Sequence, residues 1–489
     1  MNLVGGAVTG GLAFVLTIIV TRRLGAAQSA GFFEAVAIFT ILGVVGQAGS
    51  GPAIVRAIAA SLADDRTSDV RRYLRSATVG VGGISAAFAA CLYFASGNIS
   101  HALDPGGTGE LYSSLRGFAV FLPAACLSGV LLAATRGFGT MSPSVVLDGV
   151  AKPVLRVVAL LAAFEVATGP TIAVGAWTLP IVVVLGGSIL AVRSLVGALG
   201  RTSAGESVDS SRNIWRPFWR FSAFQVMADF FQVAVQWLDI LILASLATAR
   251  ETGVYAAVGR LVSVGLLALV AAAQVLSPRI AALLSKGDKE SAQAIYQSTT
   301  LWLCVVSFPF YLLTATFPDL FVGIFGNGFG SGSVALTILS FGMLMDVCTG
   351  PVLVVLLMGG RSGLGMVDAG IAGVANVALN FLLIPRFGID GAAVAWAASI
   401  ALINGLAVLQ VRRMWGISPF GPDYTRTLVS AAALYGGVSL LAREMLGQEY
   451  IALSVACLIA TPLYARALHK TEVGVTARRL VRASLACRR

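Results

Sequence analysis

The sequence predicts an all-α polytopic membrane protein of about 14 transmembrane helices, with two pseudo-symmetric six-helix lobes around a central cavity and two extra C-terminal helices. Composition is the first observation behind this prediction: 57% of the 489 residues are hydrophobic and 12% are charged, with a mean hydropathy of +0.86. A soluble domain carries about 25% charged residues. The second observation is that apolar runs of about 20 residues, enough to cross a bilayer core of about 30 Å, recur along the whole chain.

The predicted spans leave no polar stretch long enough to form a separate soluble domain. The first span lacks a basic n-region and a small-residue cleavage site, which favours a spanning helix over a removable signal. In chain order, the predicted spans are 3–20, 31–60, 76–97, 113–135, 145–168, 172–194, 217–247, 253–278, 296–317, 332–358, 363–384, 390–411, 425–444 and 449–468.

A weak internal repeat is the third observation. Aligning Gly31 with Gly253 and Gly175 with Gly391 superimposes similar turn-and-helix stretches at offsets of 222 and 216 residues. Six spans separate the copies, and an even number preserves orientation, so the copies would be parallel repeats. The predicted domains are an N-lobe (1–195), a cytoplasmic linker (196–216), a C-lobe (217–411), two further helices (412–468) and a basic cytoplasmic tail (469–489).

Lys and Arg fall mainly in alternate loops, and this asymmetry orients the chain. With the amino terminus inside, the inner loops and tail hold roughly four times as many basic residues as the outer loops. The outer loops hold only Arg22, Arg23, Arg116, Arg250, Arg386 and Arg443. We therefore predict cytoplasmic amino and carboxyl termini in a bacterial cytoplasmic (inner) membrane. The net charge of +11 is spread over many loops, which argues against a nucleic-acid partner.

The seventh predicted span carries a polar stripe, formed by Gln225, Asp229, Gln232, Gln236 and Asp239. Their spacing of four, three, four and three residues places all five on one face of a helix. Acidic side chains facing hydrocarbon are costly, so this face should not contact lipid. Interhelical hydrogen bonding is one explanation for such a stripe. Its length of about 20 Å favours the other explanation, a water-filled cavity between the lobes.

Charged residues on neighbouring spans could share that cavity. Asp239 and Arg260 both lie roughly 10–12 Å from the predicted outer surface. They would form an ion pair, or, if Arg260 had no acidic partner, its planar fork of donors could bind phosphate. Glu34 and Arg56 return to nearly one face of the second span, which adds a carboxylate and a cation to the first lobe.

Two further basic groups leave alternatives open. Arg22 and Arg23 lie at the outer end of the first span, where they would either bind a ligand or anchor the helix at the lipid headgroups. Asp148, Lys152 and Arg156 follow one another at four-residue spacing at the predicted inner end of the fifth span, near the membrane interface. An intrahelical charge ladder explains that spacing best.

Polar residues of the later spans are compatible with both cavity lining and helix packing. Asp368, Asn376 and Asn380 are spaced by multiples of four in the eleventh span, and Asn404 lies in the twelfth. Asp346 is isolated in the tenth span, where it could take up a proton.

Nothing in the sequence predicts a catalytic centre, a metal site or a cofactor. The six cysteines are scattered without CxxC spacing, and both histidines fall in loop or tail contexts. The outer loops are short, whereas a membrane glycosyltransferase or polymerase would need a large external loop with catalytic carboxylates. We therefore predict that the protein is not an enzyme.

The segment Ala375-Asn-Val-Ala-Leu-Asn-Phe-Leu-Leu-Ile-Pro-Arg-Phe-Gly-Ile-Asp-Gly-Ala-Ala-Val-Ala395 closely resembles a signature of the polysaccharide transporter family, the Wzx-type O-antigen and exopolysaccharide flippases. That family belongs to the multidrug/oligosaccharidyl-lipid/polysaccharide flippase superfamily. Asp239-Ile-Leu-Ile-Leu243 followed by Gly253-Val-Tyr-Ala-Ala257 is similar to the family's junction between helices 7 and 8. Arg22-Arg-Leu-Gly25 and Ala53-Ile-Val-Arg56 are similar to its amino-terminal pattern.

The resemblance implies a flippase that moves an undecaprenyl-pyrophosphate-linked oligosaccharide across the cytoplasmic membrane by alternating access, for cell-surface polysaccharide biosynthesis. It also implies a monomer without cofactors, with polysaccharide polymerase or assembly proteins as partners. Cavity arginines that bind pyrophosphate in related lipid II flippases would correspond to Arg22 or Arg23, Arg56 and Arg260. The sugars would contact Gln225, Gln232, Gln236, Asn376 and Asn380.

Two alternatives belong to the same superfamily. A cation-coupled multidrug exporter would use Asp229, Asp239 or Glu34 to bind organic cations and exchange them for protons or sodium. A lipid II flippase would carry a different lipid-linked cargo. The plan of 14 helices favours a flippase over an exporter.

Overall fold

The computed structural model describes residues 2–64, 66–103, 109–202, 215–469 and 471. It does not describe the side chains of residues 2–7, 200–202, 224, 228, 231, 232, 234–236 and 362. About 90% of the described residues are helical, and none of them lies in a strand. The predicted all-α class is confirmed.

Helices follow one another in chain order with short connections. The first seven are α1 (2–24), α2 (26–46 continued by Ser50–Ala63), α3 (Thr67–Leu103), α4 (Glu110–Gly137), α5 (142–166), α6 (Pro170–Thr202) and α7 (Trp215–Leu246). The remaining seven long helices are α8 (Ala249–Ser285), α9 (Lys289–Thr316), α10 (Ser333–Thr349 continued by Val352–Met358), α11 (362–387), α12 (389–415), α13 (424–446) and α14 (Glu449–Leu468). A short helix, Pro318–Gly323, lies between α9 and α10.

Two glycines turn what would be very long helices into pairs of spans. Gly25 has φ 76° and ψ 178°, and Gly388 has φ 55° and ψ −130°, which are conformations that favour glycine. The apolar stretches around them, Val8–Ala63 and Gly363–Trp415, contain 56 and 53 residues, far more than one crossing needs. With two spans counted for each, α1–α14 make about 14 helices, as predicted.

Two predicted spans are interrupted in the structure. The span predicted over 31–60 breaks at residues 47–49, where Ala48 and Gly49 have φ values of 49° and 64°. The span predicted over 332–358 breaks at Gly350, with φ 60°, directly before Pro351. Left-handed backbone cannot continue a right-handed helix, and proline lacks the N–H that the next turn would need.

The chain forms two compact units, Met1–Ala257 and Val258–Arg489, whose boundary falls within α8. The predicted assignment of N-lobe, linker, C-lobe, extra helices and tail stays a prediction. Much of the linker (203–214) and nearly all of the tail (470 and 472–489) lie outside the described residues.

Small residues and aromatic rings hold the first unit together. Lipid tails are as apolar as leucine, so close van der Waals packing rather than hydrophobic burial drives helix association in a membrane. Phe39, Phe118 and Trp177 form a buried cluster with ring centroids 4.9 to 5.5 Å apart. At Gly253, a Cβ would lie 1.9 Å from the carbonyl oxygen of Ala26, so only glycine lets α8 approach the turn between α1 and α2.

In the second unit, the side chain of Tyr311 packs between α9 and α8 and hydrogen-bonds to the α8 backbone. The hydroxyl of Tyr311 in α9 donates to the carbonyl oxygen of Val262 in α8 at 3.0 Å. A Cβ on Gly265 would lie 2.2 Å from that hydroxyl oxygen, so the missing side chain makes room for it. The buried hydroxyl thereby has a partner, as an apolar environment requires.

Candidate functional site

The polar stripe of α7 begins with a contact between two of its own members. Nε2 of Gln225 donates to Asp229 Oδ1 at 2.8 Å, one helical turn away, and both side chains are partly buried. A carboxylate has about four acceptor positions, so this bond leaves most of Asp229 for other partners. The side chains of Gln232 and Gln236 lie outside the described residues, and their place in the stripe stays a prediction.

The first half of α7 packs tightly against α2 and α3. A Cβ on Gly49 would lie 2.2 Å from the Ser222 carbonyl oxygen and 2.9 Å from Gln225 Cβ. One on Gly80 would lie 2.1 Å from the ring of Trp219. Because Gly49 and Gly80 leave no space for a side chain against α7, these two contacts fix the rotation of α7 about its axis near Gln225.

Arg56 of α2 lies over an aromatic ring of α7. Its guanidinium carbon is 5.1 Å from the centroid of the Phe221 ring, and the arginine is exposed. A guanidinium held by its face keeps its N–H edge for hydrogen bonds to an anion. This arrangement is compatible with the predicted role of Arg56 in binding pyrophosphate, which stays a prediction.

Asp239 is a buried carboxylate with two hydrogen bonds inside the first unit. It is 4% exposed, and its Oδ2 accepts from the hydroxyl of Tyr255 in α8 at 2.7 Å. Oδ1 accepts from the backbone N–H of Ile240 at 2.9 Å. Sequence reasoning missed Tyr255, although the residue stands in the middle of Gly253-Val-Tyr-Ala-Ala257, a stretch already singled out by its family resemblance.

Glu34 and Arg260 both have interaction partners. Glu34 lies in α2 with 2% of its surface exposed, and Arg260 lies in α8 and is partly buried. A buried carboxylate in a membrane helix is costly unless it is paired or protonated. Glu34 therefore stays a candidate for ion coupling, and Arg260 stays a candidate for binding an anion.

The two arginines at the end of α1 lie on the protein surface. Arg23 forms an ion pair with Glu165 of α5 at 3.1 Å, with side chains 45% and 74% exposed. Arg22 is exposed as well and has an interaction partner. A surface ion pair contributes about 0–1 kcal/mol. These positions favour anchoring at the headgroups, and the predicted role of the two arginines in binding pyrophosphate stays a prediction.

Asn376 and Asn380 of α11 bind each other in the second unit. Nδ2 of Asn380 donates to the carbonyl oxygen of Asn376 at 2.9 Å and to its Oδ1 at 3.0 Å. Both residues are at most 2% exposed. Asn376 Nδ2 and Asn380 Oδ1 have no hydrogen-bond partner within the described part of the chain. Their predicted contact with sugars stays a prediction, and the two unused atoms are where such a contact could form.

Other polar residues of the second unit link helices. Asp368 Oδ1 of α11 accepts from Gln410 of α12 at 2.7 Å, and Asp346 Oδ1 of α10 accepts from Asn404 of α12 at 2.7 Å. These bonds favour the packing alternative for Asp368 and Asn404. They also give Asp346, predicted from the sequence to be isolated, a partner in Asn404. Gln410 was missed because its partner is 42 residues away in sequence, beyond any helical periodicity.

The charge ladder of α5 stops after one pair. Lys152 forms an ion pair with Asp148, as the spacing predicts. Arg156 instead lies over the ring of Trp177 in α6, with its guanidinium carbon 3.4 Å from the ring centroid. Its Nε donates to the Trp177 carbonyl oxygen at 3.1 Å. The interaction with a neighbouring helix therefore replaces the second step of the predicted ladder.

Within the described residues, no three His, Cys, Asp or Glu side chains come together as a metal site would require. The cysteines described, all except Cys487, are free thiols. What the described side chains offer is a set of amides, carboxylates and ring-stacked arginines in membrane helices. Such groups can bind sugar hydroxyls, cations and phosphate oxygens.

The sequence is similar to one protein family and to several curated membrane proteins. The profile of a family described as "Polysaccharide biosynthesis protein" matches residues 1–284. The "Probable low-salt glycan biosynthesis flippase Agl15" of Haloferax volcanii is 26% identical over 280 residues, which cover 56% of this chain and 58% of that protein. "Uncharacterized membrane protein YabM" of Bacillus subtilis is 27% identical over 217 residues, 42% of this chain and 40% of that protein. The chain thus matches only about half the length of these curated relatives.

Solved structures show the same fold. Lipid II flippase MurJ in an inward closed conformation has a TM-score of 0.71 at 13% identity, over 97% of this chain and 98% of that one. An inward-facing multidrug resistance MATE family transporter of the MOP superfamily has a TM-score of 0.68 at 13% identity, over 84% of this chain and 94% of that one. At such identities the likeness concerns the fold alone, and the predicted transporter fold is confirmed.

Proposed function

Because the chain belongs to the polysaccharide biosynthesis protein family, we propose that it is a flippase that carries an undecaprenyl-pyrophosphate-linked oligosaccharide across the cytoplasmic membrane by alternating access. The observation that carries this proposal is the extent of the fold match, which covers 97% of this chain and 98% of a lipid II flippase. A relative named as a probable glycan biosynthesis flippase supports the same class of cargo.

The described side chains include the chemical groups that such a cargo would need. Sugar hydroxyls need donors and acceptors, which Gln225 and Asp229 provide on α7, and Gln232 and Gln236 would extend them. The pyrophosphate needs positive charge, for which Arg56 and Arg260 are candidates, with Arg22 and Arg23 further candidates at the surface. No bond in the cargo has to break, so the protein would act without a catalytic nucleophile.

Energy for the transport cycle would come from an ion or proton. Asp229, Asp239 and Glu34 are the candidate coupling groups, and Asp239 and Glu34 are buried. A buried carboxylate that gains or loses a proton changes the stability of the conformation that buries it. Ion or proton binding would therefore be coupled to transport by any motion that exposes these carboxylates first to one side of the membrane and then to the other.

The cellular setting is part of the proposal. The protein would span a bacterial cytoplasmic membrane several times with both termini in the cytoplasm, as the distribution of basic residues indicates. It would act as a monomer on a lipid-linked oligosaccharide and pass it to polysaccharide polymerase or assembly proteins. It would not be an enzyme.

Reconstitution tests this function directly. Purified protein in liposomes would receive a polyprenyl-pyrophosphate oligosaccharide with a fluorescent sugar, and an impermeant quencher would report the exposed fraction over time. We expect protein-dependent loss of the protected fraction relative to empty liposomes. An unchanged protected fraction in liposomes containing monodisperse protein would contradict the proposal.

The multidrug exporter is the second candidate, favoured by the buried carboxylates and by the MATE-like fold. The same liposomes loaded with ethidium and given a proton or sodium gradient would distinguish it. Gradient-dependent ethidium movement without glycolipid movement would favour the exporter. Replacing the cargo with lipid II tests the third alternative in one further arm.

A further inference from the structure

Arg156 occupies an unusual position for a charged residue. It lies near the middle of α5, ten residues before the helix ends at Val166, which is about 15 Å along the axis. An arginine at that depth of a membrane-spanning helix is costly unless it serves a partner or a function. The question is what its guanidinium binds.

The face of the guanidinium is fixed by Trp177. The ring centroid lies 3.4 Å from the guanidinium carbon, and the Trp177 carbonyl oxygen accepts from Nε at 3.1 Å. Trp177 is itself held, since its ring meets those of Phe39 and Phe118 edge-on at 5.5 and 5.2 Å. The arginine is therefore positioned by a rigid aromatic cluster rather than left to choose its rotamer.

The edge of the guanidinium remains available. Arginine has five N–H donors, and Nε uses one of them on the carbonyl oxygen. Asp148, the acid at the right spacing, is ion-paired with Lys152 instead. Within the part of the chain that the structure describes, no carboxylate lies within ion-pair distance of Arg156, and the arginine is partly exposed. The group of Asp148, Lys152 and Arg156 therefore carries one positive charge in excess.

The local backbone is also irregular. Ser144–Ala151 form a π-helical run directly before Lys152, and Pro153 follows. Proline removes a backbone donor and disfavours regular hydrogen bonding to the preceding turn, which explains the wider helix. π-Helical segments are rare and occur frequently at functional sites. Here the π-helical residues directly precede Lys152, and Arg156 follows one turn later.

We infer that Arg156, assisted by Lys152 one turn away, forms a site in the first unit for the phosphoryl group of a lipid-linked substrate. The planar fork of Arg156 matches two phosphate oxygens, and stacking on Trp177 holds the fork in place before the ligand arrives. Lys152 adds a second cation whose present partner, Asp148, is 53% exposed and can be replaced by the ligand. The assignment of the phosphoryl group to a lipid-linked substrate rests on the proposed function.

Binding of a soluble prenyl pyrophosphate tests the site. The full-length protein in detergent would be titrated with farnesyl pyrophosphate, with farnesol as the uncharged arm and inorganic pyrophosphate as the lipid-free arm. We expect Arg156→Gln to weaken binding of farnesyl pyrophosphate about 10- to 100-fold and to leave farnesol unchanged. Arg193→Gln, the same change at an exposed arginine of α6, should leave both affinities unchanged.

Arg156→Lys keeps the test decisive if the glutamine variant is not monodisperse. Lysine retains the charge but loses the fork and the stacking, so we expect an intermediate loss of affinity. Equal affinities of wild-type protein and either variant for farnesyl pyrophosphate would overturn the inference, as would wild-type protein that binds farnesol as tightly as farnesyl pyrophosphate. Binding of inorganic pyrophosphate in an Arg156-dependent manner would show that the phosphoryl group alone is recognised.

The inference and the proposed function fail separately. If wild-type protein moves the fluorescent glycolipid and Arg156→Gln moves it equally well, the site is wrong and the flippase stands. If wild-type protein moves no glycolipid but binds farnesyl pyrophosphate through Arg156, the flippase is wrong and the phosphoryl site stands.

Discussion

Tyr255 donates its hydroxyl hydrogen to Asp239 at 2.7 Å, and this bond joins α8 to α7 inside the first unit. Tyr255 is 3% exposed and Asp239 is 4% exposed, so water does not compete for the bond. A hydrogen bond to a charged or partly charged group in such surroundings contributes more than one at the surface. The pair therefore links the polar face of α7 to the helix that follows it.

Tyr255→Phe should destabilise the protein by about 1.5–3 kcal/mol, because it removes the buried hydroxyl that donates to Asp239 Oδ2. The unfolding midpoint of purified protein in detergent measures this change. Tyr450→Phe removes the same atom from a side chain that is 77% exposed and should leave the midpoint unchanged. Equal midpoints for the two variants would show that the Asp239 bond contributes nothing.

Gly253→Ala should disrupt the contact between α8 and the turn at Ala26. The added Cβ would lie 1.9 Å from a backbone carbonyl oxygen, which cannot rotate away as a side chain can. Overpacking of this kind costs about 1–3 kcal/mol or more. Gly259→Ala, six residues along the same helix, meets nothing within 4 Å and provides the control. We expect the first variant to lose monodisperse protein on size exclusion and the second to behave as wild type.

The sequence could predict most of the fold because each span is long, apolar and bounded by basic loops. It also placed Asp239 correctly as a polar residue near the junction with α8. The break at residues 47–49 could have been expected from Gly46, Gly49 and Gly51 followed by Pro52. Glycine in left-handed backbone is visible in composition, but its effect on a helix depends on the neighbours that approach it.

The contacts of the candidate site were harder to predict. Helical periodicity relates residues of one helix, so it gave the Asp148–Lys152 pair correctly. It could not give Arg156 on Trp177 or Asp368 on Gln410, because those partners come from other helices. Which face of a neighbouring helix is presented depends on packing, which a single sequence does not specify.

Gln410→Leu should cost more than the double change Asp368→Leu with Gln410→Leu. The single change leaves the carboxylate of Asp368, 1% exposed, without the donor at 2.7 Å. Removing both partners takes away the unpaired acceptor as well, and such replacements are often close to neutral. A double-mutant cycle on unfolding midpoints, completed by Asp368→Leu alone, measures the coupling. A double variant as unstable as the sum of the singles would contradict an energetic link.

Asp288 should make the stability of α9 depend on pH. It caps the helix by accepting from the Ser291 backbone N–H at 3.0 Å, and hydrogen bonds from Ser291 lower the pKa of its carboxyl below the ordinary value. A lowered pKa stabilises the folded state above the unfolded value of about 3.9, and this contribution is lost as the pH falls through the folded value.

Comparison with Asp288→Ala isolates that contribution. The wild-type midpoint should exceed that of the variant at neutral pH, because an acceptor at the N-cap is lost. The difference should shrink once the pH falls below about 4, when the carboxyl takes up a proton. Asp288→Asn retains an acceptor without titrating, so its midpoint relative to the alanine variant should not depend on pH. A constant gap between wild type and Asp288→Ala would exclude the titration.

The polar stripe of α7 should be in contact with water, and a comparison of Gln225 with Met227, two residues further along the same turn, can test this. Met227 is 53% exposed but lies about 160° from Gln225 around the helix, so it should face lipid if the stripe faces water. An impermeant thiol reagent reacts with a thiolate in water, not with a thiol in hydrocarbon. In a background without native cysteines, Gln225→Cys, Gln232→Cys and Gln236→Cys should react from at least one side of the membrane. Met227→Cys should stay unreacted although the reagent has steric access. Because Met227 is more exposed than the partly buried Gln225, silence at all three glutamine positions would mean that the stripe is dry and that its amides pack against other helices.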